Sequence, residues 1–140
     1  MNTFYLAGPM SGYPKFNFPA FHAAAKALRE HGGWQIMSPA EMDAESGVAK
    51  KAMQSESGNL ADAGIKETWG DFLARDVKII ADCVDGIIFL PGWQRSRGAR
   101  LEAFVGLLRD YFEFYAYTTH FGAEEITRDE VMQEIYNATR

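Results

Sequence analysis

Ser96, Gly98 and Glu102 carry the most chemistry in this 140-residue chain. They follow an apolar run, Gly86-Ile87-Ile88-Phe89-Leu90-Pro91-Gly92-Trp93, and lead into an apolar-periodic stretch. That order predicts a buried strand, a loop and the N-terminus of a helix. A hydroxyl, a glycine and the free N–H groups of a first helical turn make a place to hold an anion. Glu102 sets a carboxylate beside that place, one turn further in. Alone, Glu102 reads as a solvated glutamate favoured by the helix dipole, and Ser96 as a plain N-cap. Tyr5 and Asp76 change that reading. Tyr5, on the first strand with Gly8, offers a phenol that can hydrogen-bond Glu102 and set its ionisation. Asp76, on the preceding helix, offers a second carboxylate on a line toward the same crevice, although by itself it reads first as an ion-pair partner for Arg75 or Lys78. Two carboxylates with a sugar between them can break a glycosidic bond, one as nucleophile and one as acid. Arg95, Arg97 and Arg100 flank the anion site, where one is available to a phosphate. Trp93 either walls a base or belongs to the core.

The elements that must position these residues follow from the apolar patterning. Thr3–Ala7 is a strand ended by Gly8-Pro9, and a helix starts at Asn17 or Phe18-Pro19. Phe18, Phe21, Ala25 and Leu28 form its apolar face, and His31-Gly32-Gly33 ends it. Trp34–Met37 is a second strand. Residues 40–64 are weakly periodic and rich in Glu, Ser, Gly and Ala, a loop long enough to be functional. Thr68–Ala81 is a helix with Trp69, Phe72, Leu73, Val77, Ile80 and Ala81 inward. Asp85–Leu90 is a strand, the helix after Ser96 runs to about Tyr111, and Phe112–Tyr117 is a fourth strand. Thr127-x-x-Glu130 is a capping box for a last helix, Val131–Ala138. Strands alternating with helices predict an α/β fold: a doubly wound, mainly parallel sheet of four to five strands, flavodoxin- or Rossmann-like. The ligand crevice then lies beyond the strand C-termini, where the loops after Ala7, Met37 and Leu90 open. The whole chain, 1–140, reads as one domain carrying a polar insertion at about 40–65.

Composition narrows the function classes. A net charge of −5, with charges scattered, offers no basic stripe for a nucleic-acid polymer but leaves room for a small anionic substrate. Cys83 is the sole cysteine, which rules out an internal disulfide, fits a reducing compartment and reads as a small core residue. No apolar stretch reaches the roughly 20 residues of a membrane span, and no signal peptide is read at Asn2-Thr3, so a cytoplasmic protein without membrane contact is expected. His22, His31 and His120 lack ligand-like spacing, so no metal is expected. Gly8–Gly12 lacks the lysine of a phosphate-binding P-loop and the Gly-x-Gly-x-x-Gly of a dinucleotide fold, and no cofactor is expected.

Tyr5-Leu6-Ala7-Gly8-Pro9-Met10-Ser11-Gly12, Arg75-Asp76 and Ser96-x-Gly98-x-x-x-Glu102 together resemble the nucleoside 2-deoxyribosyltransferase-like superfamily, in particular short phage and bacterial members. The resemblance runs from Thr3 to about Tyr117. It implies Glu102 as nucleophile, Asp76 as the acid and Tyr5 as their strand-one partner, with substrate contacts at Gly8, Met10, Ser11, Trp93, Ser96, Arg97 and Gly98. Members that act on free nucleosides tend to carry an aspartate six residues before the glutamate, where this chain has Ser96. A serine at a helix N-terminus suits a 5'-phosphate, which a carboxylate would repel. The resemblance therefore implies hydrolysis of the N-glycosidic bond in a (2'-deoxy)nucleoside 5'-monophosphate. Base exchange between deoxyribonucleosides is the near alternative, and nucleotide sequestration without turnover the alternative of another class. It also implies a homo-oligomer. Ser11 only partly matches a phosphate-binding residue of the first loop, and the segment 40–64 aligns with nothing in the superfamily.

Overall fold

In the computed structural model, which describes residues 2–42, 47–120 and 122–139, the apolar runs pair into one sheet. β1 (Thr3–Ala7) lies parallel between β2 (Gln35–Met37) and β3 (Gly86–Phe89), with Tyr5 level with Met37 on one side and Ile87 on the other. β4 (Glu113–Thr118) runs parallel beside β3, and β5 (Gly122–Ile126) adds an antiparallel edge. The order β2-β1-β3-β4-β5 is that of a flavodoxin-type doubly wound α/β sheet, with its switch point between β1 and β3.

The helices are α1 (Phe18–Gly32), α2 (Pro39–Met42), α3 (Val48–Met53), α4 (Trp69–Asp82), α5 (Arg97–Leu107) and α6 (Arg128–Thr139). Side chains of β1 alternate between two apolar cores. Phe4 and Leu6 pack with α1 and α3, whereas Tyr5 and Ala7 pack with α4, α5 and α6. Local chemistry fixes the helix ends. Thr68 and Asp71 satisfy each other's backbone N–H groups at the start of α4, and Gly33 ends α1 with φ 65°. Thr127 and Glu130 form the expected reciprocal cap, but α6 begins at Arg128 and runs to Thr139.

Several expectations need correcting. Trp34 lies outside β2, and its ring packs edge-on against Phe4 at 5.0 Å and Tyr115 at 5.1 Å. The strand expected at 85–90 spans Gly86–Phe89, with Asp85 and Leu90 still bonded to β1 at its ends, and α5 stops at Leu107 rather than near Tyr111. Cys83 is exposed, because it is the C-cap of α4 rather than part of its buried face. Trp69 and Ala81 are exposed as well, so the inward stripe of α4 is narrower than its apolar residues suggest. β5 escaped the sequence reading because Gly-Ala-Glu-Glu-Ile lacks an apolar alternation, as suits a charged edge strand.

The polar segment holds more structure than a loop. Residues 43–46 lie outside the described residues, but α2 and α3 flank them, and Val48, Ala52, Ser55 and Ile65 are buried. Six helical residues bury only an i, i+4 pair, too short a face for periodicity to reveal. This segment seats on the first loop. Gly12 N–H donates to the Gly58 carbonyl at 2.8 Å, and Lys15 N–H donates to that of Ser55. The loop there takes a strained form, with Lys15, Phe16 and Asn17 all at φ between 52° and 60°. Such left-handed residues cost about 1 kcal/mol or more each. Burial of Phe16 and an Asn17 Nδ2 bond to the Pro9 carbonyl at 3.0 Å offset part of that cost.

Gly58 sits where a Cβ would strike the Tyr13 backbone, at φ 66°. Gly58→Ala should therefore cost about 2 kcal/mol or more and lower the thermal midpoint by about 5 °C or more. A scanning-calorimetry midpoint equal to that of the parent would show that the segment is not held against the first loop in this way.

Candidate active site

Tyr5 is the third residue of β1 and turns toward α4 and α5. Its side chain is 1% exposed, and its hydroxyl donates to Glu102 Oε2 at 2.6 Å. Glu102 belongs to the buried face of α5, among Ala99, Ala103, Gly106 and Leu107. Asp76 holds the matching place on α4, with Ile80 one turn later, and its Oδ1 accepts from Arg75 Nε at 2.9 Å. Asp76 and Glu102 are 8% and 6% exposed, an uncommon burial for carboxylates. Two helices packed on one sheet face thus present one acid each to a strand tyrosine.

Burial dominates the electrostatics of this cluster. Desolvation pushes the Glu102 carboxyl up to about 8; the charge of Asp76 adds to the rise, while the Tyr5 bond and the Arg75 guanidinium act against it. The Tyr5 phenol is held well above its ordinary value, first by burial and then by the charges of Glu102 and Asp76, so it stays a donor at neutral pH. Near neutrality Glu102 therefore retains a proton that an exposed glutamate would lose.

The N-terminus of α5 lies beside the cluster. Ser96 is its N-cap, and the serine Oγ accepts from the Ala99 N–H at 3.1 Å. Ser96, Arg97 and Gly98 line the cavity, which puts the Ser96 hydroxyl and the start of the α5 first turn, the usual seat of an anion, at its wall. Arg97 lays its guanidinium over the Trp69 ring, 4.6 Å from the centroid, and Arg95 sits on the rim near Tyr13 and Pro9. Arg100 turns away and donates to the Gln94 carbonyl at 2.8 Å. Gly8 is needed where the chain leaves β1, since a Cβ would come within 2.9 Å of Leu90 Cβ.

These residues line one cavity of about 320 Å³, within the range of small-molecule sites. Tyr5, Gly8, Met10, Ser11, Asp76, Ser96, Arg97, Gly98 and Glu102 all contribute to its wall. Trp93 does not: its ring is buried and stacked on Phe89, with centroids 4.0 Å apart. Of the two readings open for Trp93, the core is the one observed. The aromatic wall is Trp69, which the sequence assigned to the core. Sequence reasoning also missed the opposite wall, built by Phe16, Phe18 and Phe21 with Val48, Ala52, Leu60 and Ile65. Among the described residues, no group of three or more His, Cys, Asp or Glu is placed to hold a metal ion, and no helix is long and apolar enough to cross a membrane.

Fold and site define a doubly wound α/β domain with a buried pair of acids at the edge of its switch point. A family model described as a domain of unknown function (DUF4406) matches residues 2–107, and the chain belongs to that family. The match spans β1 to the last residue of α5 and so covers every residue of the cluster. No curated protein and no solved structure matches the chain.

The raised Glu102 makes stability pH-dependent. Between 4.5, the ordinary glutamate value, and about 8, the unfolded chain releases a proton that the folded carboxyl keeps. Stability from this group is therefore full below that window and falls as pH rises through it. Glu102→Gln removes the effect, so its unfolding free energy relative to the parent should rise between pH 5 and 8.5, by on the order of a few kcal/mol. Urea titrations at the two pH values measure this, and an unchanged difference would contradict the buried-acid account.

Proposed function

We propose that this protein is an N-glycosidase that hydrolyses a (2'-deoxy)nucleoside 5'-monophosphate to free base and sugar 5-phosphate. The observation that carries the reading is the 2.6 Å Tyr5–Glu102 bond within a buried acid pair beside the Ser96-capped N-terminus of α5. The likeness of the Tyr5–Gly12 and Ser96–Glu102 phrases to the nucleoside 2-deoxyribosyltransferase-like superfamily supports it. The reading includes a homo-oligomer, for which the exposed Leu101 and Phe104 on α5, with Leu108 at its C-cap, offer a face.

In the mechanism, the Glu102 carboxylate attacks C1' as the bond to the base breaks through an oxocarbenium-like transition state. Asp76 delivers a proton to the departing base, and a glycosyl ester on Glu102 results. Water then enters, gives a proton to Asp76 and attacks C1', which frees Glu102 and returns the sugar phosphate with retained configuration. At rest the proton of the pair sits on Glu102. The Tyr5 hydroxyl, donating to Glu102, stabilises its ionised form, and attack proceeds from the tautomer in which that proton has passed to Asp76. The working form therefore carries one proton on two coupled acids. The Ser96 hydroxyl and the α5 N–H groups hold the phosphate, with Arg97 close by.

Free-base detection across a panel of deoxy- and ribonucleoside 5'-monophosphates tests the reading. Base release should fall by about 10³-fold or more in Glu102→Gln, and kcat/KM of the parent should decline above pH about 8 as the pair loses its last proton. Full activity in Glu102→Gln would exclude the covalent mechanism. Exchange with an added second base would point to a transferase instead, and tight binding without base release to a sequestering protein.

Ser96→Asp keeps a good N-cap but sets a carboxylate against the phosphate. It should raise KM for nucleotides by about tenfold or more and leave the corresponding nucleosides as the better substrates. Equal KM values for nucleotides in the parent and the variant would remove Ser96 from the phosphate site.

A further inference from the structure

The cavity has two chemistries, and the proposed reaction uses only one. Its polar side comes from α4, α5 and the Tyr5 face of β1. Its other side comes from Leu6, α1 with the turn before it, and the segment 47–65, which contribute Phe16, Phe18, Phe21, Val48 and Ile65. None of these side chains donates or accepts a hydrogen bond. Several of the segment's backbone groups are engaged elsewhere. The Ser55 and Gly58 carbonyls accept from the first loop, the Gly58 N–H donates to Ser55 Oγ at 3.1 Å, and the Ile65 N–H donates to the Leu60 carbonyl at 3.0 Å.

A substrate with its phosphate at Ser96 and its C1' at Glu102 has its leaving group left to place, and the lining that remains is mostly the apolar side, with Ser11, Tyr13, Arg75 and Arg95 as its polar members. An unsubstituted base carries donors and acceptors on its outer edge. Buried against this wall they would stay unpaired in substituted and unsubstituted bases alike, at a cost of about tenfold or more in affinity per group. The edge turned to the wall is therefore the one that carries C5 of a pyrimidine or the N6 substituent of a purine. An alkyl group there gains about fourfold per buried methylene. We infer that the segment 47–65, with the Phe16–Phe21 aromatics, selects the leaving group, and that the site prefers nucleotides whose base carries an apolar, alkyl-substituted outer edge. This rests on the nucleotide N-glycosidase reading and narrows its substrate class.

The test compares dUMP with its 5-methyl, 5-ethyl and 5-hydroxymethyl derivatives, and dAMP with N6-methyl-dAMP. Turnover is measured on the parent protein and affinity by calorimetry on Glu102→Gln, which binds without reacting. The expected order is rising affinity and kcat/KM with alkyl size, and a preference of about tenfold for 5-ethyl over the near-isosteric 5-hydroxymethyl compound. Val48→Thr, which adds a hydroxyl to the wall at nearly constant volume, should narrow that preference severalfold. Equal or tighter binding of the unsubstituted and hydroxymethyl compounds would overturn the inference while base release still upheld the glycosidase reading. An alkyl order in affinity without base release would uphold the compartment and overturn the hydrolysis. Absence of binding by every compound would overturn both.

Discussion

The structure depends on the burial of two carboxylates on one sheet face. Isolated ionised acids are expensive to take out of water, and a buried pair repels itself. This chain meets the cost in three ways: Arg75 bonds Asp76, Tyr5 donates to Glu102, and Glu102 keeps its proton to about pH 8. The rest of that core is built to bring the three side chains together. Ala99 and Ala103 flank Glu102 on α5, and the small side chains let that helix lie close to β1 and β3. Arg109 ties the far end of the helix to the Ile80 and Val84 carbonyls at the end of α4. A core free of acids would fold with fewer demands, so the pair is a cost that the proposed chemistry explains.

The same logic applies to the first loop. Three left-handed residues in a row oppose local preference, and a loop free of tertiary constraint would relax out of them. They persist because the turn is clamped from two sides, by the Pro9 carbonyl through Asn17 and by the segment 47–65 through backbone pairing. The strain carries Phe16 into the cavity wall beside Phe18 and Phe21. Backbone distortion and the apolar side of the site are thus one feature.

What was legible in the sequence followed the strength of periodic signals. β1, α1, α4, β3 and α5 each have an apolar pattern long enough to declare its period, and their order implied the parallel sheet and the crevice. The cluster of Tyr5, Asp76 and Glu102 was reachable because each sits at a distinctive point: mid-strand, beside an arginine, six residues after a cap. The failures share a cause as well. The buried pair of α3, the charged edge of β5 and the exposed cap Cys83 are each set by tertiary neighbours that no local window contains. Trp69 and Trp93 exchanged expected roles for the same reason. Trp93 follows β3 so closely that it folds back onto Phe89, whereas Trp69, first residue of α4, stands free of the core and meets Arg97.

A strand at a switch point faces helices from both layers, and in β1 adjacent residues divide the work. Tyr5 points to the acids and Leu6 to the apolar wall, yet both border the cavity at the end of the strand. A one-residue slip of β1 against β3 would exchange the two faces, placing the phenol among the aromatics of α1 and an aliphatic chain against Glu102. The acid would then lose its hydrogen bond and face Asp76 without it. Register and the state of Glu102 are therefore coupled, and the pairing of Tyr5 with Ile87 that sets the sheet also sets which side of the cavity is reactive.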